Sequence, residues 1–182
     1  TSETRTRIIG TGKYRAERIL TNAELEKLVD TSDAWIRERT GIRERRIASA
    51  DVASSDMAAH ALREALTMAG KQPDDLDMII CGTVTPDRFL PATAAYVQKK
   101  IGATNHCASF DLSAACAGFI YGLSVADAYI RSGKVRTVAV IGTELLTRFM
   151  NWEDRNTCIL FGDGAGAVVV TADSSDRGIL ST

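Results

Sequence analysis

The chemistry in this sequence of 182 residues gathers around one cysteine. Asp111 to Gly118 reads DLSAACAG, where a strand-like run gives way through small residues to an Ala- and Gly-rich stretch. That pattern puts the thiol of Cys116 near a helix amino terminus, where unpaired N–H groups and the helix dipole favour a thiolate over a thiol. Acyl chemistry needs more than a nucleophile: an oxyanion donor and a group that handles protons or charge must stand beside it. On spacing alone the plainer reading is a small core residue at a helix–sheet contact, because free cysteine is commonly buried.

The other candidates are fewer. Cys81, Cys107 and Cys158 lie among apolar or small residues and read as buried free thiols. No CxxC pair or zinc-type Cys/His spacing occurs, so the sequence offers neither a disulfide framework nor a metal site, and it fits a reducing compartment. His60, inside a helical pattern, and His106, just before a strand, read as ordinary structural or surface residues. Trp35 alone would be core, and Arg155 alone a solvated charge. The run Arg37, Arg39, Arg43, Arg45 and Arg46 with Glu38 and Glu44 has the form of an exposed, self-neutralising stretch.

The elements that must position these residues alternate between strand and helix. Arg7 to Tyr14 reads as a first strand. Thr21 to Glu24 (TNAE) matches a capping box and predicts a short helix through Val29. Ser32 or Asp33 can cap a second short helix carrying Trp35. From Ser54 to Ala69 apolar residues recur at helical spacing and Gly70 supplies a left-handed stop. Asp77 to Val84 has the character of a buried strand, followed by a loop with Pro86 and Pro91 and a helix over Ala92 to Ile101. Cys107 to Leu112 is the next strand and Ala115 to Ser132 a long helix. Val135 to Gly142 and Ala165 to Ala172 are apolar enough for central strands. The GDGAG turn, Gly162 to Gly166, leaves an antiparallel course open for the last of these. Gly178 to Ser181 reads as a further strand beginning.

This alternation predicts an α/β fold with a mostly parallel sheet between helices. With 45% hydrophobic and 25% charged residues the chain can bury a full core, which argues against disorder. A net charge of -1 gives no reason to expect nucleic acid as a partner. No apolar run approaches the roughly 18 to 20 residues that cross a bilayer, so no membrane role is expected and a cytoplasmic location is read.

Four stretches occur together and in order: TSDAWIRERTGIRERR (Thr31 to Arg46), TPDRFLPATA (Thr85 to Ala94), DLSAACAGFIYGLSVAD (Asp111 to Asp127) and FGDGAGAVV (Phe161 to Val169). Through them the chain resembles the β-ketoacyl-acyl-carrier-protein synthase III family along nearly its whole length. The resemblance implies a thiolase-like layered fold, of which residues 1–182 are the first of two similar halves, with a mixed five-stranded sheet flanked by helices. It implies that Cys116 takes an acyl group from acyl-coenzyme A as a thioester and that malonyl-acyl-carrier protein is the second substrate. Coenzyme A is thus substrate, and no cofactor is implied. By the same resemblance Trp35 stacks on the coenzyme adenine, Arg155 covers its other face, and Thr31 and Arg39 contact the coenzyme. Leu90 falls where many members carry phenylalanine, in a loop directed to the second subunit of a homodimer, and Phe161 falls near the malonyl end of the site.

The sequence departs from the family in one large respect. The catalytic histidine and asparagine, and a glycine of the oxyanion hole, come in the family from a second half for which no counterpart occurs here. Three explanations compete: a complementary carboxy-terminal half present as a second chain, an engineered truncation, and a natural half-length relative. The first two are favoured, since a half-sheet left alone exposes an apolar face. Two other functions stay open, a polyketide-priming or related acyltransferase and a non-catalytic assembly partner in which Cys116 is merely buried.

Overall fold

The computed structural model describes residues 4–181. A five-stranded mixed sheet forms the centre, built from β1 (Arg5–Arg15), β4 (Met78–Gly82), β5 (Ala108–Leu112), β6 (Thr137–Leu145) and β7 (Asp163–Asp173), in the order β1-β7-β6-β4-β5. The strand β4 pairs in parallel with β5 and β6, whereas β7 runs antiparallel to both β6 and β1. Only β7 therefore opposes the common direction, which agrees with the mostly parallel sheet expected and settles the course after GDGAG. A second sheet of two strands, β2 (Arg18–Thr21) and β3 (Glu44–Ile47), is absent from the sequence reading. Its strands have only four residues each and pair across more than twenty positions, so no local periodicity announces them.

The helices α3 (Ser54–Ala69) and α4 (Thr93–Ile101) cover one face of the large sheet and α5 (Gly118–Arg131) covers the other. Successive residues of β4 feed opposite cores: Ile79 and Cys81 pack with Leu62, Leu66 and Val97, while Met78 and Ile80 pack with Ala126, Ile130 and Val138. That two-sided burial is why Asp77 to Val84 is continuously apolar rather than alternating. The outer helix comes very close to the edge strand. A Cβ placed on Gly12 would lie 2.0 Å from the Ala61 carbonyl oxygen, and one on Gly10 2.1 Å from that of Ala65.

A third cluster of Leu20, Leu25, Ile36, Cys158 and Ile159 lies beneath the small sheet and the short helices α1 (Asn22–Leu25) and α2 (Asp33–Thr40). The capping box forms as expected: Thr21 Oγ1 accepts from Glu24 N at 3.3 Å and Glu24 Oε2 from Thr21 N at 2.8 Å. Its helix is shorter than predicted, with turns from Glu26 on. Ser32, not Asp33, caps α2, accepting from Trp35 N at 3.2 Å.

Four further expectations need correction. Arg45 is not part of an exposed run: it is only 5% exposed, because β3 turns its side chain inward, where it donates to Leu20 O, Asn22 Oδ1 and Ile159 O. Cys107 is half-buried rather than buried, since it precedes the edge strand β5. The helix expected from Ala115 starts at Gly118, after a single 3-10 turn over Ala115–Ala117. Gly178 to Ser181 forms no strand; its main chain makes a bond from Ile179 N to Thr6 O at 2.8 Å.

Candidate active site

Cys116 lies inside the 3-10 turn that joins β5 to α5, and it is exposed. Ala115 before it has φ of 47°, a left-handed conformation that residues with a Cβ seldom adopt, and this sharp reversal lifts the thiol out of the sheet. The thiol therefore does not have the buried placement that spacing alone favoured. The other cysteines contrast with it. Burial pushes the thiols of Cys81, Cys107 and Cys158 up, with Asp111 adding to the effect at Cys81, so all three stay protonated near neutrality.

A cleft of about 340 Å³ opens beside Cys116, walled by Phe119, Glu144 and a set of glycines, Gly82, Gly142, Gly162, Gly164 and Gly166. The absence of side chains on so many walls lets backbone approach whatever occupies the space. The larger cavity of about 1020 Å³ lies elsewhere, lined among others by Tyr14, Leu20, Leu28, Arg148 and Trp152, and it does not reach the thiol. Among the described residues, no three His, Cys, Asp or Glu side chains form a group able to hold a metal ion.

Three carboxylates without a role in the sequence reading hold this cleft in shape. Asp111 accepts from Thr93 N at 2.6 Å and Ala94 N at 2.8 Å, capping α4 and tying it to the strand that leads to Cys116. Asp163 of the GDGAG motif is buried and accepts from Ala48 N, Thr147 N and Thr147 Oγ1. Glu144 takes donors from Thr83, Val84 and Thr85. Sequence reasoning assigned none of the three a role, although Asp111 opens the DLSAACAG stretch and Asp163 lies within GDGAG.

The predicted coenzyme-binding residues do come together. The guanidinium carbons of Arg39 and Arg155 stand 4.3 and 4.4 Å from the Trp35 ring centroid, a doubly cationic stack on one indole. Arg155 Nη1 also donates to Asp30 O at 3.1 Å, next to Thr31, whose buried Oγ1 has no partner among the described residues. The helix bearing Trp35 is braced from below. Asn22 links the buried Arg45 to Asp33 by bonds of 2.9 and 2.8 Å, and the Asn22 bond, then Arg37, hold the Asp33 carboxyl below its ordinary range. Leu90 and Phe161 are not brought in: Leu90 is 77% exposed at the tip of the loop after β4, and neither residue walls the Cys116 cleft. The peptide from Leu90 to Pro91 is cis.

Proteins of known sequence and structure share this fold. The chain is 54% identical over 176 residues to the β-ketoacyl-[acyl-carrier-protein] synthase III of Xanthomonas campestris and 57% over 175 residues to that of Symbiobacterium thermophilum, matches that take in 97% and 96% of this chain and 54% and 53% of those proteins. Over nearly its whole length the chain is similar to β-ketoacyl-acyl-carrier-protein synthase III proteins. The family model for 3-oxoacyl-[acyl-carrier-protein] synthase III matches residues 110–182, which include Cys116 and the GDGAG turn. The crystal structure of the Aquifex aeolicus synthase III superposes with a TM-score of 0.91 at 54% identity, over 93% of this chain and 55% of that one. The priming β-ketosynthase of the R1128 polyketide pathway superposes equally well, at 40% identity over 96% and 52% of the two chains. The chain spans about half the length of the relatives it matches. In those relatives the remaining length belongs to the same polypeptide, so a complementary half supplied as a separate chain finds no support in them.

Proposed function

We propose that this chain carries the acyl-accepting part of a β-ketoacyl-acyl-carrier-protein synthase III. The observation that carries the reading is the exposed Cys116 on its strand-to-helix turn, in a chain more than half identical to enzymes of that name. In the proposed reaction the Cys116 thiolate attacks the carbonyl carbon of acyl-coenzyme A, the thioester bond to coenzyme A breaks, and free coenzyme A leaves. Malonyl-acyl-carrier protein then loses carbon dioxide, and its carbanion attacks the Cys116 thioester, forming the new carbon–carbon bond and freeing the thiol. Two substrates taken in turn give ping-pong kinetics.

Within this proposal Trp35, Arg39 and Arg155 form the adenine site and Thr31 lines it, while Leu90, exposed on its loop, borders the acyl pocket of the second subunit of a homodimer and Phe161, next to the cleft glycine Gly162, lies toward the malonyl end. A histidine, an asparagine and an oxyanion glycine complete the site from the part of the family sequence that this chain does not span. A homodimer, a cytoplasmic location and a role in starting fatty acid synthesis belong to the same proposal. Among the described residues no helix is long and apolar enough to cross a membrane.

The likeness to the R1128 enzyme supports a second reading, the priming of a polyketide by the same first step. Intact-mass measurement of the full-length protein after exposure to acetyl-coenzyme A tests both. An added acetyl mass that maps to Cys116 and vanishes in Cys116→Ala supports acyl transfer, and discharge by malonyl-acyl-carrier protein distinguishes the condensing enzyme from other acyltransferases. A thiol that takes no acyl group sinks both and leaves the assembly role.

A further inference from the structure

We propose that Glu144 is a positioning residue for Cys116, a carboxylate lock that keeps the end of β4 seated against the start of α5. The proposal rests on Cys116 as the acyl acceptor. Glu144 is the penultimate residue of β6 and is half-buried. Its Oε1 accepts from Val84 N at 2.9 Å, and its Oε2 from Thr85 Oγ1 at 2.6 Å and Thr83 Oγ1 at 3.4 Å. Thr85 Oγ1 itself accepts from Leu145 N at 2.9 Å, which directs the single hydroxyl proton to the carboxylate. Ser54 closes the arrangement, donating to Thr85 O at 2.6 Å while its own carbonyl accepts from Thr143 Oγ1 at 3.1 Å. The three residues after β4 are thereby fastened to the end of β6 through backbone and side chain alike.

What that fastening controls is the next contact along. Gly82, the last residue of β4, lies so near α5 that a Cβ on it would come 2.9 Å from the Gly118 carbonyl carbon and 3.1 Å from Phe119 N. Those atoms are two and three residues beyond Cys116. Packing as tight as this passes a displacement on rather than absorbing it. Movement of Thr83 to Thr85 therefore reaches the turn that presents the thiol. A carboxylate suits the task because it accepts from three donors at once, which neither a hydroxyl nor an amide can do with the same geometry. Glu144 also walls the thiol's own cleft, so its displacement opens space at the reacting sulfur.

The experiment measures single-turnover acylation of Cys116 by acetyl-coenzyme A in full-length wild-type, Glu144→Ala and Glu144→Gln proteins, with coenzyme A affinity measured separately by titration. Glu144→Ala is expected to slow acylation at least tenfold at saturating substrate while coenzyme A affinity stays within twofold. Glu144→Gln, which keeps the acceptor for Val84 N, is expected to fall between the two. Acylation of Glu144→Ala within twofold of wild type overturns the proposal, as does a parallel loss of coenzyme affinity, which signals general damage. Alkylation of Cys116 by iodoacetamide separates this failure from failure of the functional reading: a wild-type protein that takes no acyl group sinks the reading, while an alkylation rate unchanged in Glu144→Ala sinks the lock. If Glu144→Ala does not fold, Thr85→Val carries the same measurements from the other end of the bond.

Discussion

Replacing Asp163 by asparagine probes the buried clasp under the GDGAG turn. The residue is 7% exposed, with Oδ1 accepting from Thr147 N at 3.0 Å and Oδ2 from Ala48 N at 2.9 Å and Thr147 Oγ1 at 2.7 Å. Asparagine fills the same volume but keeps one acceptor. With its oxygen turned to Ala48 N and Thr147 Oγ1, its amide N–H group confronts the N–H of Thr147, so a charge-assisted bond is lost and a buried donor is orphaned. Bonds to charged groups contribute about 1.5 to 3 kcal/mol and an orphaned buried donor costs about 1 to 3. The two overlap, which gives a loss of roughly 2 to 4 kcal/mol. At about 2 to 4 °C per kcal/mol for a chain of this size, Tm should fall by roughly 4 to 16 °C. Thermal unfolding followed by circular dichroism reads this directly, with urea midpoints as a second measure. A fall of less than about 1 °C would refute the view that these three bonds depend on a carboxylate.

Three other outcomes are expected. Gly12→Ala pushes a methyl to 2.0 Å from a helix carbonyl that has no room to retreat, and should cost about 3 kcal/mol in urea unfolding. Asp173 is held at about 2 by its side-chain and backbone bonds with Ser175 and then by Arg7. Because this folded value lies below the ordinary 3.8, its contribution to stability is present above that pH and is lost as pH falls toward 2. The difference in urea midpoint between wild type and Asp173→Asn should therefore be constant above about pH 5 and shrink toward nothing as pH falls through about 2. Trp35→Ala removes the stacking surface, and at about 1 to 3 kcal/mol per stacked base should weaken coenzyme A binding roughly 5- to 150-fold by calorimetry; an unchanged Kd would remove Trp35 from the adenine site.

The legible parts of this protein are those whose cause lies within a few residues. Thr21 and Glu24 form their capping box because both partners sit three positions apart, and Gly70 ends α3 at a φ of 63° because a glycine is available there. The strand β4 was readable from its apolar run. The missed pieces share a different cause. The pairing of β2 with β3 joins Arg18 to Ile47, and neither sequence carries a repeat that signals it. Arg45 lies in a run of charges that gives no sign of which one turns inward, and its partner Ile159 lies 114 positions away.

By itself the sequence determined the succession of the long helices and the strands of the large sheet, the family resemblance, and the cysteine at the junction where chemistry is possible. Only the tertiary structure decided that this thiol is lifted into a glycine-walled cleft, that Trp35 meets Arg155 from the far end of the chain, and that Asp111, Glu144 and Asp163 serve the fold. The physical reason is that a helix or a strand is set by neighbours a few positions along. Whether a charge is solvated or clasped depends instead on which distant segments the sheet brings beside it.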